Sequence, residues 1–379
     1  MSALDDHRAA LELELLDLRA ASQGRALRTP SGIDLVSNDY LGLAEHPAVR
    51  EAMRRSLVGG PAGSGGSRLL RGHHEAFARL ELRLAAFSGA EAALFYGSGY
   101  LANLGVLPAL AGPDDIVLSD ERNHASLIDA VRLTKARRVV LPHNDLTALE
   151  RALAEPRSGR VFVVTESVFS MDGDFAPLGE MAALAERHGG LLIVDEAHAT
   201  GLQGSRGSGR VEALGLRDQV LATMHTGGKA LGCGGAWVAG SATLRDHLVN
   251  HSRSFIYSTA PPPALAAGLL AALDVLAREP ERRQEVERKA ALLRAELQGL
   301  GIAAPGQTAI VPILAGSNEA ALRLQDGLQA EGFDVRAIRP PTVPAGTARL
   351  RVSVRAPVPD DDLRRFARHV GRLLGQRAA

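Results

Sequence analysis

The chain has 379 residues, 46% of them apolar and 40 of them glycine, and its 43 basic residues balance 43 acidic ones for a formal net charge of zero. This composition fits a globular α/β chain of two or three domains and excludes a fibrous or disordered one. Neutrality weighs against a dedicated nucleic-acid binder, which needs a basic surface, and the lone Cys233 excludes a disulfide framework or multi-cysteine metal site. In chain order, Leu4, Leu11, Leu15 and Leu18 stand at helical spacing and predict a helix over residues 4–20. This acidic start lacks the basic and apolar segments of a signal peptide. No apolar run reaches the roughly 18 residues that span a bilayer. A soluble, cytoplasmic protein is expected, with neither membrane nor nucleic acid as partner.

Next come a short strand and turn in "GIDLVSNDYLGLAEHP", a glycine-rich loop over residues 61–72, and an amphipathic helix, "HEAFARLELRLAAFSG", closed by Gly89. Strand and helix then alternate: "AALFYGSG", "LANLGVLPALA", "DIVLSD", "ASLIDAVRLT", "RRVVLPH", "LTALERALAE", "RVFVVTESVFS", "LGEMAALAERHG", "LLIVDEAH". Apolar strands in such alternation predict a mostly parallel sheet covered on both faces. After about residue 280 the charge density rises. Strand-like "AIVPILAG", helical "NEAALRLQDGLQAEG", strands near "FDVRAIRP" and "ARLRVSV", and a terminal helix follow. The expected division is an N-terminal helical segment (1–36), a large domain (37–280) and a smaller α+β C-terminal domain (281–379).

Several strands end in polar residues, among them Ser119-Asp120, Glu166-Ser167 and Asp195. Ligands of open α/β sheets bind beyond the carboxyl ends of the strands, so these ends are the candidate site. Asp195-Glu196-Ala197-His198 spells the DEAH box of helicases, but the nucleotide loop such a motor requires is missing. Lys229, in the only Gly-Lys pair, precedes Ala230 rather than a hydroxyl, and Thr223 stands where the first glycine should be. Neither a G-x-G-x-x-G dinucleotide loop nor a G-x-S-x-G nucleophile elbow occurs.

The same residues suit another chemistry. Lys229 follows the candidate strand "QVLATMHT" and lies in the small-residue loop "TGGKALGCGG", where a planar ligand can approach the backbone. A lysine amine there can form a Schiff base, and a carboxylate at a strand end can keep a ring nitrogen protonated. Asp195 and Glu196 should face opposite sides by strand alternation.

With these residues in place, the chain resembles the α-oxoamine synthase family of fold-type I pyridoxal phosphate-dependent transferases. "SNDYLGLAEHP", "GSGGSRLLRG", "FYGSGYLAN", "DERNHASLIDA", "HNDLTALE", "TESVFSMDGDFAPL", "VDEAHATGLQGSRGSG", "TGGKALGCGGAWV", "IYSTAPPPA" and "RPPTVPAGTARLRVS" carry the resemblance along nearly the whole chain. It implies pyridoxal 5'-phosphate as cofactor and no metal. Lys229 would bond the cofactor, Asp195 face its ring nitrogen, His198 its ring hydroxyl, and His124 stack on the ring. These four form the expected catalytic set.

Gly99 and Tyr100, at a helix start that suits a phosphate, match cofactor-binding positions, as do Ser170 and Thr226. Ser258 and Thr259 match residues that reach a phosphate across a dimer interface, which implies a homodimer with shared sites. Asn38 and Arg351 match residues near the amino-acid carboxylate, with Arg349 as the rival of Arg351. His124 and Thr342 also match substrate contacts, and Arg19, with Arg25 as rival, matches an arginine near the acyl substrate. The family often repeats a histidine after the glycine-rich loop; here His74 fits the first position and Phe77 stands at the second.

The reaction implied is decarboxylative condensation of L-alanine with a pimeloyl thioester, on coenzyme A or acyl carrier protein, giving 8-amino-7-oxononanoate for biotin synthesis. Sister enzymes use other pairs, such as glycine in glycine C-acetyltransferase. The rival from a different class is a non-catalytic binding protein on a degenerate copy of the fold.

Overall fold

Short runs of Val, Ile, Leu and Ala bounded by turn residues make the strands, and amphipathic runs between them make the covering helices. The computed structural model describes residues 2–375. The first elements are α1 (Ala3–Ala20), β1 (Ile33–Asp34), α2 (Pro47–Gly59) and α3 (Glu75–Ser88). Alternation then runs through β2 (Ala92–Tyr96), α4 (Gly99–Leu110), β3 (Ile116–Asp120), α5 (Ala125–Leu133), β4 (Arg137–Leu141), α6 (Leu146–Ala154), β5 (Val161–Glu166), α7 (Leu178–Arg187) and β6 (Gly190–Asp195). Next are α8 (Arg210–Ala213), β7 (Val220–Thr226), β8 (Ala236–Gly240), α9 (Ala242–His251), α10 (Arg253–Ile256), α11 (Pro263–Arg278) and α12 (Glu281–Gly299). The chain closes with β9 (Ile310–Gly316), α13 (Asn318–Ala330), β10 (Phe333–Asp334), β11 (Ala337–Ile338), β12 (Ala348–Ser353) and α14 (Asp360–Leu373).

Two compact units result. One comprises Asn38–Ser170 and Asp174–Glu285; the other comprises Met1–Ser37, Met171–Gly173 and Val286–Ala379. In the first, seven strands form one sheet in the order β2-β8-β7-β6-β5-β3-β4. Pairings from β7 through β4 are parallel, whereas β8 is antiparallel to both β2 and β7. Every residue of β3 and β5 is buried, the signature of strands covered on both faces. One face packs Val117, Phe162, Val164 and Ile193 against Ala102 and Val106 of α4 and Leu127 and Val131 of α5. The other packs Leu118, Val163, Leu192 and Val194 against Leu149 and Leu153 of α6 and Met181 and Leu184 of α7.

β8 has no counterpart among the expected strands. Its five residues, "AWVAG", sit inside a glycine-rich stretch and read as a continuation of the loop. The antiparallel pairing on both sides, with Trp237 fully buried, makes it a sheet strand.

In the second unit, β11, β12 and β9 form an antiparallel sheet. Val311, Ile313, Leu350 and Val352 from it pack on Leu324 and Leu328 of α13 and Leu363, Phe366 and Val370 of α14. β1 pairs in parallel with β10, Ile33 opposite Phe333, and joins the N-terminal segment to this unit. Arg349 ion-pairs with Asp172, and Thr308 Oγ1 donates to Gly173 O at 3.1 Å, which fixes the three-residue segment 171–173 here. α1 buries none of its own residues in the single chain. Among the described residues, no helix is long and apolar enough to cross a membrane.

Candidate active site

The carboxyl ends of β3, β5, β6 and β7 bring Asp120, Glu166, Asp195 and Thr226 to one edge of the sheet. Asp195, buried at the end of β6, accepts from Asn103 Nδ2 through Oδ2 and from the Ala197 N–H through Oδ1, both at 2.9 Å. Glu196 turns the other way, as strand alternation predicts. It accepts from Ser167 Oγ at 2.6 Å and from the Val211 N–H at 2.7 Å, and so ties loops together behind the sheet.

Beyond β6 the chain turns tightly, and the Thr200 N–H returns to Glu196 O at 2.8 Å. This turn presents His198, whose Nε2 stands 2.8 Å from Lys229 Nζ and whose Nδ1 stands 2.8 Å from the Tyr40 hydroxyl. The Tyr40 hydroxyl donates to Asn38 Oδ1 at 3.1 Å. Its one proton thus used, it accepts from Nδ1–H, and Nε2 presents its lone pair to the lysine.

Lys229 itself lies in a loop closed by Cys233 N–H to Gly227 O at 2.9 Å and Gly232 N–H to Lys229 O at 2.8 Å. The glycines around it have different reasons to be small. A Cβ on Gly232, at φ +63, would lie 2.1 Å from Ala44 N, and one on Gly227 would lie 2.5 Å from Leu269, so both are demanded by packing. Only Gly228 has its nearest protein neighbours at 3.7 Å or beyond, and it is the glycine that leaves room for a ligand.

His124 caps the N-terminus of α5, its Nδ1 accepting from the Ser126 N–H at 3.2 Å. Desolvation lowers its pKa; the Lys229 cation acts in the same direction and Asp195 opposes. Glu166, fully buried beside Asp195 in the sheet register, accepts the His124 backbone N–H. Desolvation and then the charge of Asp195 raise its carboxyl well above the ordinary range. Asp195 and Lys229 both act electrostatically on His124 and on Glu166.

The start of α4 is capped by Ser98, whose Oγ accepts the Leu101 N–H, leaving Gly99 and Tyr100 in the first turn. The Tyr100 hydroxyl bonds Asp129. Thr226 Oγ1 accepts the Gly228 N–H and donates to Gly235 O, both at 3.2 Å. Ser170 is buried just beyond β5. Ser258 and Thr259 follow α10, part-exposed and exposed, beside the exposed Tyr257. His74 packs edge-on to Phe77, whose ring stacks on Phe95, so the position of the second family histidine is a core hydrophobe here.

The donor set fits pyridoxal phosphate. A buried, doubly hydrogen-bonded carboxylate suits a protonated ring nitrogen, a lysine amine an aldehyde, and a histidine a ring hydroxyl, while a helix N-terminus suits a phosphate. The buried Glu166 Oε1 lacks a hydrogen-bond partner. Tyr40, Asn103 and Ser126 were not singled out in the sequence, and Glu166 stood out only as a polar strand end. The available signals were a tyrosine inside "SNDYLG" and an asparagine interrupting the apolar run "LANLGVL".

In the second unit, Arg351 Nη1 donates to Ser353 Oγ at 2.8 Å from the buried β12, while its rival Arg349 is committed to Asp172. A cavity of about 650 Å³ is lined by Arg19, Arg25, Arg28, Arg336, Arg339 and Thr342, among others. Arg25 Nη2 donates to Thr342 Oγ1 at 3.3 Å; Arg19, on exposed α1, lines the same cavity.

The aminotransferase class I and II family matches residues 30–370. The chain is 47% identical over 378 residues to an 8-amino-7-oxononanoate synthase of Geobacter sulfurreducens, covering 95% of this chain and 96% of that one. It is 45% identical over 382 residues to the enzyme of that name from Aromatoleum aromaticum, covering 98% and 99%. Among solved structures, a serine palmitoyltransferase from S. paucimobilis with bound PLP and myriocin superposes with a TM-score of 0.90 at 28% identity over 98% of both chains. An 8-amino-7-oxononanoate synthase from Francisella tularensis gives a TM-score of 0.80 at 26% identity, covering 91% of this chain and 98% of that one.

Proposed function

The chain belongs to the aminotransferase class I and II family and, within it, to the 8-amino-7-oxononanoate synthases; from that premise we propose that it condenses L-alanine with a pimeloyl thioester, releasing CO2, the free thiol and 8-amino-7-oxononanoate. It is a pyridoxal phosphate-dependent acyltransferase of biotin synthesis. When bound, pyridoxal phosphate supplies an aldehyde for capture of an amine and a cationic ring that takes up the electron pair left on the α-carbon.

Lys229 Nζ is the amine that would hold that aldehyde, and as a free amine it would be the base that moves the α-proton of alanine. His198 accepts from Nζ through Nε2 and holds the amine over the site. Asp195 would keep the proton on the ring nitrogen, and the flat His124 would cover the ring. Arg351 and Asn38 take the alanine carboxylate. A guanidinium grips a carboxylate by two parallel N–H bonds, and Arg349, bound to Asp172, has less to offer. Thr342 with Arg25, and Arg19 beyond it, receives the acyl substrate. Gly99, Tyr100, Ser170 and Thr226 bind the cofactor. Ser258 and Thr259 reach a phosphate in a second copy of the chain, so the working unit is a cytoplasmic homodimer.

The observation that carries this reading is the Lys229 amine, 2.8 Å from His198, which follows the strand that ends in the buried Asp195. The serine palmitoyltransferase likeness raises serine as a rival substrate, but 28% identity there against 47% to an 8-amino-7-oxononanoate synthase favours alanine. Purified protein should turn yellow with pyridoxal phosphate, and Lys229→Ala should abolish the absorbance band and the activity. Mass spectrometry should then find 8-amino-7-oxononanoate from alanine and pimeloyl thioesters. A protein that takes up no cofactor, or that prefers glycine or serine, overturns the proposal.

A further inference from the structure

Two buried side chains outside the expected catalytic set join members of it. Asn103, on α4, and Ser126, on α5, are 3% and 1% exposed, so their polar atoms must find partners within the protein. Asn103 Nδ2 donates one proton to Asp195 Oδ2 and the other to Ser126 Oγ, each at 2.9 Å. Both acceptors fix the amide: turned over, it would set its carbonyl oxygen against a carboxylate. Ser126 Oγ, accepting from the amide, has a single proton left, and the atom facing it is His124 Nδ1 at 2.8 Å. The Ser126 backbone N–H points at the same nitrogen from 3.2 Å. Two donors converge on Nδ1, and an imidazole nitrogen that accepts two hydrogen bonds carries no proton.

We propose that Asn103 and Ser126 are positioning residues that lock His124 in the tautomer protonated on Nε2 and tie that choice to the ionised carboxylate of Asp195. This deepens the proposed function and rests on it. The direction of every bond in the chain is set at its Asp195 end, because an ionised carboxylate only accepts. The amide must therefore donate, the hydroxyl must pass its proton on, and the imidazole must receive it. Protonating His124 would place a proton where two donors already point. The ring covering a cationic cofactor thus stays neutral, and its one N–H is carried by Nε2, away from the network. The charged and titratable groups around His124 are Asp195 on β6, Lys229 after β7 and Glu166 on β5.

Nitrogen NMR of histidine-labelled full-length protein, with and without pyridoxal phosphate, tests this directly. Wild type should show His124 unprotonated at Nδ1. Ser126→Ala, which keeps only the backbone donor, should move the His124 titration to higher pH and shift the acid limb of the kcat/KM profile with it. Ser126→Thr, which restores a hydroxyl, should return both to wild type. Asn103→Ala frees the Ser126 proton and should give mixed tautomers, with kcat reduced about tenfold, the scale of one buried hydrogen bond. A wild-type His124 protonated at Nδ1 overturns the proposal whether or not the variants fold. So does a Ser126→Ala protein that takes up cofactor and leaves tautomer and titration unmoved. If wild type binds no pyridoxal phosphate, the functional reading fails on its own account, while the tautomer in the free protein still decides this one.

Discussion

The Tyr40 hydroxyl lies 2.8 Å from His198 Nδ1, on the side of the ring opposite the one that meets Lys229. The tyrosine is 1% exposed, and its hydroxyl also bonds Asn38, so rotation of the histidine would break a buried bond that orients its ring. Tyr40→Phe keeps the ring and removes the bond. Stability should fall by about 1 kcal/mol, read by urea unfolding. The pH dependence of the cofactor absorbance band should shift as well, because His198 then loses the partner that fixes Nε2 as acceptor. An unshifted band in a folded Tyr40→Phe protein would show that Lys229 does not depend on this orientation.

Glu166 is a buried acid whose carboxyl is raised by desolvation first and by Asp195 second. A raised folded-state value means that its contribution to stability is complete below about pH 4.5, its unperturbed value, and declines as pH climbs toward the folded-state value. The raised value favours the neutral acid, which glutamine mimics. Glu166→Gln should therefore be at least as stable as wild type at pH 8 in thermal unfolding and should retain cofactor binding. A loss above about 2 kcal/mol would mean that the ionised form is the one the fold requires.

His143 shows the same linkage in a cationic group. Desolvation alone would lower its pKa, but bonds to Asp120 (3.0 Å) and Asp174 (2.8 Å) overcome this and push it up to about 9. Its stabilisation is complete below pH 6.5 and disappears as pH rises through 9. After allowance for solvent screening, wild type should lose about 1–2 kcal/mol across that window. The neutral His143→Gln should start lower and show a flatter profile in urea titrations at pH 6 and pH 9.5. Parallel profiles for the two proteins would rule out His143 as the titrating group.

Strand–helix alternation and polar strand ends were readable in the sequence because each is a local pattern. Asp195 and Lys229 stood out as chemistry at the ends of apolar runs, and Glu196 fell on the opposite face by the two-residue period. Asn103 and Tyr40 did not stand out, because their bonds to Asp195 and His198 close over 92 and 158 residues and exist only once the sheet has brought those segments together. β8 was hidden for the opposite reason. Its local pattern is glycine-rich, and pairing on both edges overrides that propensity. Arg349 and Arg351 share one face of β12, so spacing could not separate them; in the fold Arg349 pairs with Asp172 and Arg351 bonds Ser353.

The arginines of the N-terminal segment give the last test. Arg19 and Arg25 line the same cavity, yet only Arg25 reaches Thr342, at 3.3 Å. Arg339, on the same wall, is anchored by the Ser22 and Gly24 carbonyls; desolvation lowers its pKa, and the charges of Arg25 and Arg28 lower it further. Guanidiniums that repel one another are relieved by an anion, and the proposed acyl substrate carries one at the end of its chain. An interaction made equally in ground and transition states raises KM when lost and leaves kcat in place. Arg25→Ala should accordingly raise KM for the pimeloyl thioester about tenfold, as for one charge-assisted hydrogen bond, with kcat changed less than about threefold. Arg19→Ala, on exposed α1, should alter KM less. A larger KM effect from Arg19→Ala would return the acyl contact to α1. Equal KM for thioesters with and without the terminal carboxylate would remove the anion from the argument altogether.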